Sequence, residues 1–288
     1  MPNPPESPTL ISRIRAKLGF LAASDGQEPL DFTARVRATL RLLTAPFGVE
    51  PHTVVARVRG KFLFLIAWPT LLAAMRRRSH RTELWIGDSH AMSVNRDISN
   101  SMFMRAPQGQ LILRVGARLM YSLARQGFPP RVMRVARLVN RFGRPGALVP
   151  IFSSGEIDVR VHLVARPDET FGFVADYVDQ CMVVARLLKA DRIAFMVPVP
   201  PVNLAGMAVW FPVTGTFDER LALHARLRDA LAAAVNEVPQ AVLLDFTALL
   251  SGPTGGMPRA LTSDGAHTNR AAVRLIRTTI ADSGLLVD

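Results

Sequence analysis

Mainly apolar runs of four to six residues recur along the chain from residue 82 onward, and each ends at a glycine, a proline or a polar residue. Runs of this kind are typical of strands buried on both faces of a sheet. We predict strands at residues 84–87, 111–115, 147–152, 192–197 and 241–245. The segments between them repeat their apolar residues at three- and four-residue steps, which is typical of helices. We predict helices at residues 91–104, 118–127, 131–142, 169–189, 218–235 and from 268 onward.

This alternation indicates an α/β domain with a parallel sheet, which we predict at residues 81–288. Right-handed crossovers bring the C-terminal ends of all five strands to one edge of the sheet. Open α/β sheets bind their ligands at that edge. The segments that follow the strands are therefore the first place to look for chemistry.

Residues 1–80 stand outside the alternation, and we predict an N-terminal arm followed by a helical region. Residues 62–75 carry no charge and are bracketed by Lys61 and by Arg76, Arg77 and Arg78. A helix of that length rises about 21 Å, short of the ~30 Å hydrocarbon core of a membrane. We expect it to pack against the α/β domain or a partner subunit. A helix lying in the membrane interface, with its basic flank on anionic headgroups, is the alternative.

Composition limits the classes of protein. With 49% hydrophobic and 20% charged residues the chain is typical of a globular protein. Cys181 is the one cysteine, so no intrachain disulfide forms and a reducing compartment is expected. The first residues lack the basic and apolar segments of a signal peptide, which favours a cytoplasmic protein. Peripheral contact with the inner face of the membrane through residues 1–80 is the alternative.

The net charge of +12 is unevenly distributed, with nine arginines and no acid from residue 98 to 155. A solvated surface is the favoured interpretation, and a site for a polyanion is the alternative. One basic helix face combines Arg131, Arg134, Arg137, Arg141 and Arg144. Most such faces are simply hydrated, and a minority bind phosphates, acyl-CoA or anionic lipid. No signature of a nucleic-acid partner, a metal site or a nucleotide cofactor accompanies the charge.

Two short motifs at opposite ends of the α/β region carry candidate chemistry. The first strand ends in Gly87-Asp88-Ser89-His90, and a serine on a tight turn after a strand is well placed to attack a substrate. Near the end of the chain stands Asp264-Gly265-Ala266-His267. An aspartate three residues before a histidine can fix its tautomer and leave the other ring nitrogen to act as a base. Taken singly, each motif also suits a helix cap.

Together the two motifs resemble the signatures of the GDSL or SGNH hydrolases. The resemblance implies a three-layer α/β/α, flavodoxin-like fold with a five-stranded parallel sheet. It assigns Ser89 as nucleophile, with Asp264 and His267 as acid and base. It also assigns the oxyanion hole to the backbone N–H groups of Ser89 and Gly116. The family's Gly-x-Asn-Asp signature is altered here to Gly155-Glu156-Ile157-Asp158, so the asparagine donor is replaced by Ile157.

Several residues near these motifs are candidate substrate contacts: His90, Glu156, Asp158, Arg160 and Asn203. Arg160 or Asn203 could supply the missing oxyanion donor. Glu156 would bind a sugar hydroxyl or form an ion pair with Arg160. The proline-rich loop at residues 198–211 could line an acyl pocket, or simply pack on its own core.

These expectations converge on acyl transfer. We expect a serine-dependent ester hydrolase or O-acyltransferase that acts on an acyl ester of a carbohydrate or glycolipid, with acyl-CoA as an alternative donor and no cofactor. The rival hypothesis is a non-catalytic module of the same fold that binds a glycan or an anionic membrane surface. The sequence leaves the oligomeric state open.

Overall fold

The computed structural model describes residues 65–76, 81–92, 103–106, 109–166, 168–207, 209, 211–282 and 285. The predictions for residues 1–64 and for the basic run after residue 76 lie outside this part of the chain. The division of the chain at residue 80 therefore stays a prediction.

A six-stranded sheet forms the centre of the molecule, in the order β2-β3-β1-β4-β5-β6. The strands are β1 Thr82–Gly87, β2 Phe103–Arg105, β3 Leu111–Arg114, β4 Leu148–Ser153, β5 Ile193–Met196 and β6 Ala241–Leu244. All neighbours pair in parallel except β2 and β3. Without β2, the parallel strands follow the flavodoxin-like order 2-1-3-4-5. The predicted α/β class and its five parallel strands are confirmed, each strand to within two residues at its ends.

Strand β2 was not predicted and corrects the helix expected at residues 91–104. Phe103 and Met104 lie in an antiparallel edge strand that pairs with β3, and Ala91 lies in a 3₁₀ turn at Ser89–Met92. Residues 93–102 lie outside the described part of the chain. Phe103 and Met104 are both buried, which is possible in a strand between two apolar layers because successive side chains point to opposite faces. A three-residue strand is too short to show that period in the sequence.

Helices cover both faces of the sheet. The described helices are α1 at 65–76, α2 Met120–Gln126, α3 Pro130–Phe142, α4 Phe173–Leu187, α5 Phe217–Asn236, α6 Thr247–Leu250 and α7 Arg270–Asp282. Helix α3 begins at Pro130, where a missing N–H costs no hydrogen bond. Helix α5 begins with a capping box between Thr216 and Glu219. The helices predicted after residue 117 are confirmed to within four residues at their ends.

Two apolar layers result from the alternation of side chains along the strands. In β1, Leu84 and Ile86 pack into the layer that holds apolar residues of α1 to α5. Trp85 points to the other face and packs with residues of α6 and α7. A parallel sheet covered by helices on both faces is the three-layer arrangement expected from the sequence.

Helix α1 contributes to the first layer. Ala67, Leu71, Ala74 and Met75 are buried in the same cluster as the central strands, and the Trp68 ring meets Phe103 edge to face with ring centroids 5.1 Å apart. Packing of this segment against the α/β domain, the favoured prediction, is confirmed. No helix in the described part of the chain is long and apolar enough to cross a membrane. The interfacial alternative stays a prediction.

The order in which the chain adds strands to the sheet reverses at β1, which lies between β3 and β4. The chain reaches β3 on one side of β1 and β4 on the other, so the segments after β1 and β4 diverge from a crevice. A side chain at Gly87 would place its Cβ 1.8 Å from the carbonyl oxygen of Ser153. Glycine is therefore required at the point where the end of β1 meets the end of β4.

Candidate active site

The turn after β1 carries Asp88, Ser89 and His90. The Asp88 N–H donates to Ser153 O at 3.2 Å, which ties the start of the turn to β4. Asp88 is fully buried, and its Oδ1 accepts the His90 N–H at 2.8 Å. Burial raises the pKa of Asp88 against the opposing charge of His90. Asp88 therefore shapes the turn from inside, and Ser89 stands half-exposed at its tip.

The second motif forms a closed turn before α7. The Asp264 Oδ2 lies 2.7 Å from the Nδ1 atom of His267, and Oδ1 accepts the N–H groups of Ala266 and His267 at 3.0 and 2.8 Å. Burial alone would raise the pKa of Asp264, but the hydrogen bonds from His267 and Ala266 hold it well below its usual range. Asp264 is thus an ionised acceptor that fixes the orientation of the imidazole.

The fold brings the two motifs together. The rings of His90 and His267 stack with centroids 5.3 Å apart and planes inclined by 18°. Since His90 directly follows Ser89, the imidazole of one motif lies beside the serine turn of the other. Within the described residues no hydrogen bond joins the Ser89 hydroxyl to His267. Such bonds are often long without substrate and tighten only in the reacting complex.

The predicted oxyanion donors lie at the ends of β1 and β3. Among the described residues, neither the Ser89 N–H nor the Gly116 N–H donates to a protein acceptor. The Arg131 guanidinium donates to Arg114 O at 3.0 Å and to Val115 O at 2.5 Å, just before Gly116. Arg131 therefore holds the end of β3, and it is not simply a hydrated residue on the basic face of α3. Its neighbours Arg134, Arg137 and Arg141 are exposed.

Glu156 follows β4 and faces the first motif across the crevice. Its Oε1 accepts the Arg160 Nε–H at 2.6 Å, and its Oε2 lies 3.2 Å from Arg160 Nη2 and 3.4 Å from His90 Nε2. Burial would raise the pKa of Glu156, but the interactions with His90 and Arg160 outweigh it and lower the pKa to about 2. The ion pair with Arg160, one of the two interpretations of Glu156, is present. A substrate contact stays a prediction.

Arg160 and Asn203 form hydrogen bonds with other groups. Arg160 also donates to Pro212 O at 2.5 Å and stacks over Phe211 at 4.5 Å. Asn203 is exposed, and its side-chain oxygen accepts the Ala205 N–H at 3.1 Å. These contacts do not involve the predicted oxyanion donors, so the role of either residue as a replacement for the oxyanion asparagine stays a prediction.

Asp158 caps the N-terminus of helix α2. Its Oδ2 accepts the Met120 N–H at 2.6 Å, and its Oδ1 accepts the Tyr121 N–H at 3.2 Å. Helix α2 has no side-chain cap from Leu119, so Asp158 supplies the missing acceptor from 38 residues away. Burial is the largest influence on its pKa and raises it to about 7, against the two N–H donors. The carboxyl group is fully buried, and its candidate role as a substrate contact stays a prediction.

The loop at residues 198–211 packs against the second motif. Gly265 has φ +93°, and an added Cβ would lie 2.6 Å from the side chain of Leu204. A side chain at Gly265 would thus be strained and would collide with the loop. Val199 and Val202 are buried in the same apolar layer as Trp85. The packed-loop interpretation therefore describes these residues, and the lining of an acyl pocket stays a prediction.

A pocket beside the second motif includes one functional candidate that the sequence did not reveal, Arg220. The pocket opens to solvent. It is lined by Glu156, Val159, Arg160, Val199, Pro200, Pro201, Val202, Leu204, Arg220, Gly265 and Ala266. In the sequence, Arg220 has the appearance of an ordinary surface residue in the first turn of a helix. Only its burial, with 5% of the side chain exposed, distinguishes it.

Comparisons with known proteins concern solved structures alone, because no family model and no curated protein matches the chain. The chain is similar to a structure described as a platelet activating factor from Streptococcus pneumonia, at 13% identity, 80% of this chain, 98% of that chain and a TM-score of 0.47. It is also similar to a GDSL-like lipase from Bacteroides thetaiotaomicron, at 13% identity. That match covers 70% of this chain and 87% of the lipase, with a TM-score of 0.41. A carbohydrate acetylesterase from Sinorhizobium meliloti is similar at 15% identity. That match covers 70% of this chain and 97% of the acetylesterase, with a TM-score of 0.43.

Proposed function

We propose that the chain is a serine-dependent ester hydrolase or O-acyltransferase, acting on an acyl ester of a carbohydrate or glycolipid. The observation that carries this proposal is the stacking of His90 on His267 with ring centroids 5.3 Å apart. It places a histidine held by Asp264 beside the turn that bears Ser89. A nucleophile, a base and a group that orients the base are the parts that such chemistry needs.

In this mechanism Asp264 keeps the proton of His267 on Nδ1, which leaves Nε2 to accept a proton. His267 takes the proton of the Ser89 hydroxyl while the oxygen attacks the ester carbonyl. Collapse of the tetrahedral intermediate breaks the ester C–O bond, and His267 returns the proton to the leaving alcohol. The acyl group then remains on Ser89 as an ester.

The second half reverses these steps. A water molecule or the hydroxyl of an acceptor loses its proton to His267 and attacks the acyl-enzyme. Water gives a free acid and completes hydrolysis, whereas an acceptor hydroxyl gives a new ester and completes acyl transfer. The same residues serve both outcomes, so the acceptor that reaches the acyl-enzyme determines which one occurs.

The negative oxygen of each intermediate requires fixed donors. The N–H groups of Ser89 and Gly116 are the candidates, and both are free of acceptors within the described residues. A side-chain donor at the position of Ile157 is absent from the sequence. Loss of one such donor can cost on the order of 10²–10³ in rate. We therefore expect a modest enzyme unless the substrate or another group supplies the third donor.

A fluorophosphonate probe tests the proposal, because it labels a serine only when a base activates the hydroxyl. We expect labelling of the wild-type protein and none of Ser89→Ala. Ser263→Ala is the matched control, since Ser263 Oγ donates to the His267 carbonyl oxygen at 3.2 Å but is not the proposed nucleophile. It should label like the wild type.

The replacement of the oxyanion asparagine by Ile157 favours one other candidate function, a binding module of the same fold that recognises a glycan or a membrane surface. A folded wild-type protein that does not react with the probe and does not cleave p-nitrophenyl acetate would support the module and contradict the enzyme.

A further inference from the structure

The pocket beside the second motif contains a buried cation. Arg220 lies in the first turn of α5, and only 5% of its side chain is exposed. Arginine remains protonated in proteins, and a buried charge without a counter-ion is costly. The acceptors around Arg220 therefore decide whether the positive charge is compensated.

The acceptors of Arg220 within the protein are neutral. Nη1 donates to Gly215 O at 3.1 Å, and Nη2 lies 3.4 Å from Val202 O. No carboxylate in the described part of the chain lies within ion-pair distance of its guanidinium. The neighbouring Glu219 accepts the N–H and hydroxyl of Thr216 in the capping box, and it attracts Arg220 only from beyond ion-pair distance. A guanidinium has five N–H donors, so the two carbonyls leave donors to spare.

The other charged groups that line the pocket do not compensate the positive charge of Arg220. Glu156 is the one carboxylate that lines the pocket within the described residues, and it is bound by both nitrogens of the Arg160 fork. It also lies 3.4 Å from His90. Glu156 is thus already paired with Arg160, and the charge of Arg220 is in excess. Apolar side chains form most of the remaining wall, which strengthens the field of an uncompensated charge.

We propose that this pocket binds an anionic oxygen group of the ester substrate, a carboxylate or a phosphate, and that Arg220 is its principal ligand. This inference rests on the proposed function. Gly265 and Ala266, which stand between Asp264 and His267 in the sequence, line the same pocket. A group held there adjoins the turn that carries the proposed base. The substrate is accordingly an ester that bears a negative charge on its acyl part or on its alcohol part.

Two pairs of esters distinguish these two sources of the charge. The acyl pair is mono-p-nitrophenyl adipate and its methyl ester, and the alcohol pair is 1-acetylglycerol 3-phosphate and 1-acetylglycerol. In one pair we expect the charged ester to have a kcat/KM about 10- to 100-fold higher, since a hydrogen bond to a charged group contributes about 1.5–3 kcal/mol. Arg220→Gln should remove most of that preference, while labelling of Ser89 persists.

Arg228→Gln is the matched control, because Arg228 lies on the same helix and pairs with Asp229 at the surface, with 36% of its side chain exposed. It should keep the preference. Arg220→Lys retains a charge without the planar fork, and we expect it to recover part of the preference. These variants separate the loss of a ligand from the loss of a helix residue.

Equal kcat/KM values within both pairs for the wild type would overturn the proposal, even if Arg220→Gln failed to fold. An equal loss on all four esters in Arg220→Gln would do so as well, because it would make Arg220 a structural clamp on the carbonyls of Gly215 and Val202. Calorimetric titration of the wild type with adipate and with glycerol 3-phosphate needs no activity. Binding of either anion without any Ser89 labelling would sustain the pocket and contradict the enzyme, and binding of neither would overturn the pocket alone.

Discussion

Two histidine–carboxylate pairs meet at the end of β1, and they differ in origin. Asp264 and His267 belong to one turn and lie 2.7 Å apart, with 20% and 16% of their side chains exposed. His90 and Glu156 come from two different strand ends and lie 3.4 Å apart, with 3% and 12% exposed. The first pair is local and open to solvent, and the second is long-range and buried.

The partners of each carboxylate explain what the difference means. Among the described residues, the Asp264 carboxylate accepts hydrogen bonds only within its own turn, from the His267 ring and from the backbone N–H groups of Ala266 and His267. Glu156 divides its charge between His90 and Arg160. Burial lowers the pKa of His90, but the hydrogen bond and charge of Glu156 and the charge of Asp88 outweigh it, so the pKa is raised. The open pair suits proton transfer with a substrate, whereas the buried pair suits a fixed ionic link.

Replacing each histidine by glutamine should give the largest contrast. His267→Gln removes the proposed base, and we expect hydrolysis of p-nitrophenyl acetate to fall on the order of 10⁵- to 10⁶-fold. His90→Gln keeps a donor for Glu156 and removes only the stacked ring. A displaced His267 ring would then cost at most about 10²-fold. Steady-state rates measure both, and equal losses would mean that the two rings act as one unit.

Neutralising each carboxylate should separate activity from stability. Asp264→Asn leaves His267 without a partner that fixes its tautomer, so we expect a loss of about 10⁴-fold in kcat. Glu156→Gln leaves the partly buried Arg160 unpaired, and breaking a buried ion pair costs about 3 kcal/mol or more of the free energy of unfolding.

Urea denaturation and the same ester assay make this comparison. Asp264→Asn should lose less stability than Glu156→Gln, because its side chain is more exposed and solvent screens its charge. If Glu156→Gln lost activity as severely as Asp264→Asn while keeping its stability, Glu156 would belong to the reacting groups.

The smallest expected effect, per pH unit, concerns the buried carboxyl group of Asp158. The pKa of Asp158 is raised to about 7, from an ordinary value of 3.8 in the unfolded chain. Between these values the folded protein holds a proton that the unfolded chain has released. The contribution of Asp158 is therefore fully present below pH ~4 and is lost as pH rises towards 7, by at most about 1.4 kcal/mol per pH unit.

Asp158→Asn has no such proton to lose. Its stability relative to the wild type should rise as the pH increases from about 4 to about 7, as measured by urea denaturation at several pH values. Asp229→Asn, at a surface position with 69% of the side chain exposed, should show no such trend. Parallel curves for Asp158→Asn and the wild type would mean that Asp158 is ionised throughout this range.

The strands and helices were predictable where the pattern of apolar residues along the chain was long enough. Apolar runs revealed the five parallel strands because residues buried on both faces need no polar alternation. The three residues of β2 carry no readable period, and pairing with β3 decided their conformation. In the candidate site, the bond between Asp264 and His267 spans three residues, so their spacing predicts it. The bonds between Asp158 and α2 span 37 and 38 residues, and those between Arg131 and the end of β3 span 16 and 17. Nothing in the sequence indicates them.

The sequence by itself determined the alternating strands and helices, the two turns that carry Ser89 and His267, and the partner of that histidine, because each depends on neighbouring residues. Only the tertiary structure decided that His90 stacks on His267, that Glu156 lies between His90 and Arg160, and that Arg220 is buried with no carboxylate at ion-pair distance in the described part of the chain. These are contacts between segments far apart in the chain, and burial determines how strongly their charges act. A guanidinium in the first turn of a helix becomes a candidate ligand only when the fold removes it from water.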